Sequence, residues 1–300
     1  MSIRKPGRRA RVKRVGLVTR YTSPEAIELS RTLDRRLTRR GVEVVHDLES
    51  APARDGDGGV ARNQIMRAVD LVVTLGGDGT LLSVARHPAP DVPILGIDIG
   101  TLGFLTTCGP SEYEDILDAA LAGRAPVEKR RLLAVSVSEG QRPARNYRVV
   151  NDAVLAKSAL ARIAAIRVDV DGRTVSRYRG DGVLVSTPTG STAYNLSAGG
   201  PILEPTMPAL VLSPICPHTL SLRPLVLPDS VRLDLRVEED ATGVFLTLDG
   251  QEGFPVGAAT RIAISRAPDT VSLVRASKDS FWDVLAGKLS FGGERENVSR

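Results

Sequence analysis

The 300-residue sequence is poor in cysteine, histidine and aromatic residues. Its two cysteines, Cys108 and Cys216, form no CxxC pair, and its three histidines are scattered, so a zinc site is not expected. Unpaired thiols are typical of a reducing compartment, and we expect a cytoplasmic protein. Aromatic residues make up only 4% of the chain, which argues against surfaces that stack on nucleic-acid bases.

Long apolar runs are also missing. No segment approaches the roughly 20 uninterrupted apolar residues that a membrane helix needs. No apolar signal core follows the basic N-terminal residues, so we expect neither export nor a membrane partner. Hydrophobic residues nevertheless make up 42% of the chain, which is enough to form the cores of two domains.

The net charge of +5 comes from the N-terminal residues. Residues 1–14 contain seven Lys or Arg and no acid, and the rest of the chain has 33 basic against 35 acidic residues. We interpret residues 1–14 as a basic, disordered tail. A nucleic-acid-binding tail is the alternative, but a body without a basic excess gives DNA little to hold.

Residues 15–125 alternate between strand and helix patterns. Ser23-Pro24-Glu25 combines an N-cap, a proline at the first helical position and an acid in the first turn, and Gly41 is a typical helix-ending glycine. Residues 71–75 form a continuous apolar run of the kind found in buried strands. This alternation predicts an α/β domain with a parallel sheet.

Strand patterns dominate residues 126–276. Residues 147–155 read as one strand, and residues 261–265 and 271–274 read as two. Asp171-Gly172 and Asp249-Gly250 are hairpin-turn signals. We predict a mainly β, sandwich-like domain here, followed by a C-terminal segment (residues 277–300) that returns to the N-terminal domain.

The first chemistry-bearing segment is Gly76-Gly77-Asp78-Gly79-Thr80. Glycines at the end of a buried strand allow a tight turn, and the following helix N-terminus favours anions. Ligands of open α/β sheets bind at such strand ends. A carboxylate here repels phosphate unless it binds a metal or takes a proton, so Asp78 indicates chemistry rather than a plain turn.

The second segment follows a strand that ends near Ser186. Five hydroxyl side chains lie between Ser186 and Thr192, and a run of small residues ends at Gly199-Gly200. Hydroxyl groups at this density suit sugar hydroxyls or phosphate oxygens. A Ser/Thr-rich turn with a helix cap is the alternative interpretation.

Weaker signals accompany these two segments. Asn151-Asp152 could bridge two ribose hydroxyls, although Asn-Asp is more often a turn. Arg162 and Arg179 are more often solvated surface charges. Asp249-Gly-Gln251 resembles a hairpin turn.

Taken in order, these segments closely resemble the NAD kinase family over about residues 14–290. GGDGT alone is shared with diacylglycerol-type lipid kinases, whereas the Thr-Pro-Thr-Gly-Ser-Thr-Ala-Tyr block that begins at Thr187 is far more specific. The resemblance implies phosphorylation of the 2′-hydroxyl of NAD's adenosine ribose, with Asp78 as the general base. It also implies NAD and ATP or polyphosphate as substrates, Mg²⁺ or another divalent cation with the donor, no tightly bound structural metal, and a homo-oligomer (dimer or tetramer).

The resemblance further assigns binding positions along the chain. The implied substrate- and nucleotide-binding residues are Gly76, Gly77, Asp78, Gly79, Thr80, Asn151, Asp152, Arg162, Arg179, Asp181, Thr192, Ala193, Tyr194, Asn195, Leu196, Ser197 and Gln251.

Three positions depart from the family pattern. Asp152 stands where glutamate is usual, Asp98 where asparagine is common, and Ser83 where arginine is frequent. The Asp152 and Ser83 departures keep open a non-catalytic NAD(P) sensor, and the shared GGDGT loop keeps open a lipid kinase. Lipid kinases typically carry Asn-Glu soon after that loop, which residues 81–86 lack.

Overall fold

The computed structural model describes residues 11–53, 58–100, 103–158, 163–219, 221–238, 243–276 and 281–289. The chain divides into two compact units. The first comprises Met1–Val84, Asp91–Glu128 and Ser272–Arg300, and the second comprises Ala85–Pro90 and Lys129–Val271. None of the described helices is long and apolar enough to cross a membrane.

The first unit is an α/β domain with a parallel sheet, as the sequence pattern predicts. Strand order is β2-β1-β3-β4, followed by the end of the last strand, β16, which pairs with β4 through Ser272 and Leu273. The elements are β1 (Arg14–Thr19), α1 (Pro24–Arg39), β2 (Glu43–His46), α2 (Arg62–Ala68), β3 (Leu71–Leu75), α3 (Asp78–Ala85), β4 (Pro93–Ile97), α4 (Tyr113–Leu121) and α6 (Phe281–Leu289), with β16 at Thr260–Val274.

Local sequence explains where the first unit's elements begin and end. The Ser23 side chain accepts a hydrogen bond from the Ala26 N–H and so caps α1, as the sequence predicts. Strand β3 is buried along its whole length, which accounts for its unbroken apolar run. The core of this unit joins the sheet to the apolar faces of α1 and α4.

The prediction of a disordered tail is wrong for residues 11–14. Val12 is buried, and the N–H groups of Lys13 and Arg14 both donate to the Asp70 carboxylate. Arg14 also begins β1 and pairs with Glu43. Residues 11–14 therefore belong to the folded unit, and residues 1–10 lie outside the described part of the chain.

The second unit is mostly β. One antiparallel sheet has the order β12-β11-β10-β7-β14-β15, and a second runs β16-β13-β8-β9, with β5 on β16 and β6 on β5. Apolar side chains from both sheets form one core, so the unit is a sandwich. The strands are β5 (Val127–Glu139), β6 (Arg145–Val149), β7 (Asp152–Lys157), β8 (Ala164–Val170), β9 (Arg173–Gly180), β10 (Gly182–Ser186), β11 (Ala209–Ile215), β12 (Leu225–Pro228), β13 (Leu233–Val237), β14 (Val244–Leu248) and β15 (Glu252–Val256).

The structure corrects the predicted strands in two places. Residues 147–155 are not one strand, because β6 ends at Val149 and β7 begins at Asp152. Strand β6 pairs in one sheet and β7 in the other, so the chain crosses between sheets at Val150 and Asn151. The two predicted strands after residue 260 are in fact the single strand β16.

A second crossing lies between β9 and β10. Strand β9 pairs with β8 in one sheet, and β10 pairs with β7 and β11 in the other, so the chain changes sheets at Asp181. On the paired strands β7 and β10, Asp152 lies opposite Ser186 and Ala156 lies opposite Gly182. The crossing at Val150 and Asn151 and the crossing at Asp181 therefore lie at opposite ends of this strand pair.

Candidate functional site

The predicted glycine-rich loop lies at the end of β3, where α3 begins. The Gly76 N–H donates to the carbonyl of Ile97 at 3.0 Å, which fixes the loop against the neighbouring strand β4. Asp78 is the first residue of α3 and is half-buried, and Gly79 is exposed. The loop thus sits at the carboxyl edge of a parallel sheet, where α/β proteins bind ligands.

The Asp78 carboxylate is held by a second loop. Its Oδ2 accepts the N–H of Phe104 at 2.9 Å, and its Oδ1 accepts the N–H groups of Leu105 and Thr106, both at 3.1 Å. Three consecutive backbone donors orient the carboxylate and offset its negative charge. The charge that would repel phosphate is therefore partly balanced by the protein itself.

Gly103 makes this arrangement possible. A Cβ atom at Gly103 would lie 1.8 Å from Oδ1 of Asp78, so any larger residue would have to displace the loop or the carboxylate. The backbone of the second loop therefore approaches Asp78 as closely as a glycine allows.

Asp98 is a second carboxylate at this place. It is buried, and it accepts the N–H groups of Gly100 at 2.8 Å and Gly103 at 3.0 Å. The hydroxyl of Thr106 lies 3.0 Å from Asp98 Oδ2 and 3.4 Å from Asp78 Oδ1. Thr106 thus connects the two carboxylates, and its N–H and hydroxyl both take part in the site.

In the second unit, Asp249 binds the crossing between β6 and β7. Its carboxylate accepts the N–H groups of Val150 at 3.0 Å, Asn151 at 2.6 Å and Asp152 at 3.3 Å. In return the Asp249 N–H donates to the Asp152 carbonyl at 2.9 Å. A residue that the sequence predicts only as part of a hairpin turn therefore accepts hydrogen bonds from the backbone of a segment about 100 positions earlier in the chain.

A pocket of about 350 Å³ opens beside this crossing. It is lined by Asn151, Asp152, Val154, Ala193, Tyr194, Thr247, Asp249 and Gly250. Burial, and then the negative charge of Asp249, raise the pKa of the Asp152 carboxyl to about 7, although the Tyr194 N–H acts in the opposite direction. Burial also raises the pKa of Asp249, against the three backbone N–H groups and the positive charge of Arg86. The pocket therefore contains a carboxyl group that changes charge near neutral pH.

The hydroxyl-rich segment forms hydrogen bonds within the second unit. The Thr187 hydroxyl donates to the Val150 carbonyl at 2.6 Å, and the Ser191 hydroxyl donates to the Pro188 carbonyl at 2.6 Å. The Ser186 hydroxyl likewise donates to backbone carbonyls. These side chains hold a 3-10 helix (Thr189–Thr192) against the crossing, so they position the pocket rather than line it.

The approach of this helix depends on Gly190. A Cβ atom there would lie 2.1 Å from the carbonyl oxygen of Asn151. The helix can therefore pack directly on the backbone of the crossing, and Ala193 and Tyr194 follow it into the pocket wall.

Two family models match the chain. The ATP-NAD kinase N-terminal domain matches residues 15–125, and the ATP-NAD kinase C-terminal domain matches residues 150–276. The NAD kinase of Koribacter versatilis is 39% identical over 287 residues, which is 95% of this chain and 100% of the relative. The NAD kinase of Geotalea daltonii is 39% identical over 282 residues, 94% of this chain and 99% of the relative.

The chain belongs to the NAD kinase family. It is a phosphotransferase of this family, and the comparisons give no support to the lipid-kinase alternative. The kinase superposes on an Archaeoglobus fulgidus NAD kinase in complex with ATP with a TM-score of 0.71, at 26% identity, 91% coverage of this chain and 97% of that chain. Yeast NADH kinase complexed with NADH shares the fold, with a TM-score of 0.87, 24% identity and coverage of 97% and 91%.

The remaining predicted residues of the kinase lie at different places. Asn195 is fully buried, and its amide bonds the carbonyls of Ser191 and Pro201 and the Ser213 hydroxyl, so its side chain belongs to the scaffold. Thr192 donates to the Thr189 carbonyl. Leu196 and Ser197 complete the four-residue helix α5 (Tyr194–Ser197).

Three other predicted positions do not line the pocket. Arg179 is exposed on β9, and Asp181 lies 3.5 Å from Lys157 at the far end of β10. Gln251 is exposed in the turn between β14 and β15. Arg162 lies outside the described residues.

The sequence interpretation of the kinase missed Gly103, Thr106 and the wider role of Asp249. Each of them contacts residues that are close in the fold but far away in the sequence. The sequence signal for Gly103 was its place within Leu-Gly-Phe-Leu at residues 102–105, which resembles a segment of the family but indicates no contact.

Proposed function

We propose that this kinase phosphorylates the 2′-hydroxyl of the adenosine ribose of NAD to give NADP, with Asp78 as the general base. The observation that carries the proposal is the state of the Asp78 carboxylate. A carboxylate has about four lone-pair positions, and the loop N–H groups take two on Oδ1 and one on Oδ2. One position on Oδ2 is left for a hydroxyl hydrogen.

A fixed carboxylate suits the reaction. A ribose hydroxyl is a weak nucleophile, and its proton can pass to Asp78 as the oxygen attacks the terminal phosphorus of the donor. The bond from that phosphorus to the donor's bridging oxygen breaks in the same step, and the shortened donor leaves. The N–H groups of residues 104–106 keep the carboxylate aimed, so little reorganisation is needed when the proton moves.

We further propose that the phosphates of ATP or polyphosphate bind at the loop of residues 76–80. The loop joins glycine-rich backbone to the N-terminus of α3, an arrangement that favours anions. A divalent cation would bind with these phosphates, since Mg²⁺ prefers oxygen ligands from one or two carboxylates plus substrate phosphates. The phosphate oxygens of the donor would supply most of the ligands of this cation, and the bound cation would offset the negative charge of the transferred group.

The dinucleotide would bind at the pocket of the second unit. Asn151 and Asp152 offer an amide and a carboxyl group that can bridge neighbouring ribose hydroxyls. Tyr194 is 45% exposed at the wall of the pocket, and its ring can pack against a base or ribose. The segment from Thr192 to Ser197 would lie along the ligand through its backbone and through Tyr194.

The positions of Arg179 and Asp181 support a homo-oligomer. Strand residues advance by about 3.3 Å each, so Asp181 lies roughly 17 Å along β10 from the level of Asp152. A partner related by a two-fold axis through the outer face of this sheet would bring its own Asp181 end over this chain's pocket. Of the apolar residues on this outer face, Val154 and Leu184 are already buried within the chain, and Phe245, which is 41% exposed, is available to a partner.

Mixing two variants tests the shared site. Asp152→Asn and Asp181→Asn chains, each nearly inactive alone, should regain activity when unfolded and refolded together, with intact sites approaching about a quarter of the total in a dimer. If mixed oligomers form but activity does not return, each site lies within one chain.

The reaction is tested by NADP formation from NAD, ATP and Mg²⁺, with the wild type beside Asp78→Asn. We expect turnover in the wild type and a loss of at least about 10²-fold in kcat in the variant. A folded wild type that makes no NADP with ATP or polyphosphate, yet binds NAD, would favour the sensor. We also propose a cytoplasmic location, which rests on the two free cysteines.

A further inference from the structure

Two hairpins of the second unit have the same turn and different surroundings. Asp171-Gly172 has φ values of 47° and 78°, and Asp249-Gly250 has 52° and 65°. Asp171 is exposed, and its carboxylate accepts one N–H, from Arg232 at 2.9 Å. Asp249 is only 8% exposed and accepts three. Turn conformation explains Asp171, but it does not explain the burial and contacts of Asp249.

The charge of Asp249 is costly where it lies. It is buried beside a second buried carboxyl group, that of Asp152, and like charges in a low-dielectric place repel. Asparagine would make the same turn without the charge. Costly arrangements of this kind are concentrated at functional sites.

We propose that Asp249 is a positioning residue whose carboxylate fixes the crossing at residues 150–152 and thereby aims Asp152 into the dinucleotide pocket. The inference rests on the proposed binding of NAD at that pocket. Asp249 acts through Asp152 and does not itself need to touch the ligand.

The hydrogen bonds show how the positioning works. Val150 and Asn151 lie between two strands that belong to different sheets. Asp249 accepts both N–H groups and that of Asp152, and its own N–H returns to the Asp152 carbonyl. The crossing is thus held from both directions at the residue that carries the pocket carboxyl group.

Two elements place titratable groups beside Asp152. Asp249 faces it from the β14–β15 hairpin, and Tyr194 faces it from α5. Arg86 acts on Asp249 and pairs with Glu252 of the same hairpin at 2.9 Å. Removing the charge of Asp249 should lower the pKa of Asp152, so the pH midpoint of NAD binding should move to lower pH.

Two variants separate the hydrogen bonds from the charge. Asp249→Asn keeps one acceptor oxygen and loses the charge, whereas Asp249→Ala loses both. We expect Asp249→Ala to raise KM for NAD and thereby lower kcat/KM by roughly 10- to 100-fold, since a misplacement of about an ångström can cost up to about 10²-fold in rate. The KM for ATP should change little. Asp249→Asn should show a smaller rise in KM for NAD and an acid-shifted midpoint of NAD binding.

Asp171→Asn and Asp171→Ala are matched controls, because they alter the same turn where it does not touch the pocket. Both should keep the wild-type KM for NAD and its pH midpoint. If the Asp249 variants match these controls at every pH while the wild type binds NAD, the inference is wrong. If the wild type binds no NAD, the proposed function is wrong instead.

Hydrogen exchange of the wild type decides the matter even if the Asp249 variants do not fold. The N–H of Asn151 belongs to no strand ladder, yet it should exchange slowly because it is bonded to a buried carboxylate. Rapid exchange of this amide in the folded protein would overturn the inference.

Discussion

Two carboxylates, one in each unit, perform the same local task in different settings. Asp78 accepts the N–H groups of residues 104–106, and Asp249 accepts those of residues 150–152. Asp78 is half-buried and leads a helix, whereas Asp249 is almost fully buried at the tip of a hairpin.

The difference between them lies in what each carboxylate has left to offer. Asp78 retains an acceptor position and some exposure, so it can meet a substrate hydroxyl. Asp249 is only 8% exposed and lies beside a second carboxyl group, that of Asp152, whose pKa is raised to about 7. The same three-donor arrangement can therefore serve chemistry in one unit and the placement of a neighbour in the other.

The largest expected effect comes from Gly103→Ala. Its Cβ would overlap Oδ1 of Asp78, so the loop and the carboxylate cannot keep their contacts. We expect kcat to fall by at least about 10²-fold, comparable with the loss of a general base. Steady-state kinetics at saturating NAD and ATP measure it.

Gly172→Ala is the matched control, in the Asp171 hairpin that does not touch the pocket. Gly172 has φ of 78° and nothing within 4 Å of an added Cβ, so the cost is conformational only, about 1–2 kcal/mol of stability. If Gly103→Ala is as mild as Gly172→Ala, the close approach to Asp78 is not needed for turnover.

The next effect is a pH dependence of stability. The pKa of Asp152 is about 7 in the folded chain and 3.8 ordinarily, so the folded state holds a proton that the unfolded state has released between these values. Stability is therefore greatest below pH 4 with respect to this group and falls as pH rises to about 7. A rise of about three units corresponds to a loss of up to about 4 kcal/mol.

Urea unfolding of the wild type and Asp152→Asn from pH 4 to 8 measures this loss. The variant lacks the titrating group, so its free energy of unfolding should fall less over that range. Parallel curves for the two proteins would mean that Asp152 is ionised throughout and that the carboxyl pair is weaker than the burial implies.

The smallest effect is expected for Thr106→Val. Valine keeps the shape and the N–H bond to Asp78 but removes the hydroxyl that links Asp78 to Asp98. We expect a loss of about 1–3 kcal/mol in stability and a modest decrease in kcat. An unchanged protein by both thermal unfolding and kinetics would show that the two carboxylates act independently.

The position of Asp78 could be predicted from the sequence because the elements around it are contiguous. A buried strand, a glycine-rich turn and a helix follow one another within 15 residues, so local rules place Asp78 at the sheet edge. The approach of Gly103 was not readable, because it depends on how a distant loop packs on that carboxylate.

The second unit shows more clearly which features could not be predicted from the sequence. Apolar residues flank Val150 and Asn151 on both sides, so periodicity predicts one strand where the chain changes sheets. The Asp249-Gly250 turn was predicted, but not its hydrogen bonds to a segment nearly 100 residues away. Hydroxyl side chains such as Thr187 suggested ligand contacts, whereas their partners are backbone carbonyls.

The last strand has a consequence for biosynthesis. Ser272 and Leu273 complete the parallel sheet of the first unit beside β4, although most of that unit is translated before residue 129. At about 5–20 residues per second, the ribosome needs roughly 7 to 29 s to make the intervening segment. The sandwich strands are therefore synthesised in one uninterrupted stretch. During that time, the edge of β4 that later pairs with the end of β16 remains unpaired.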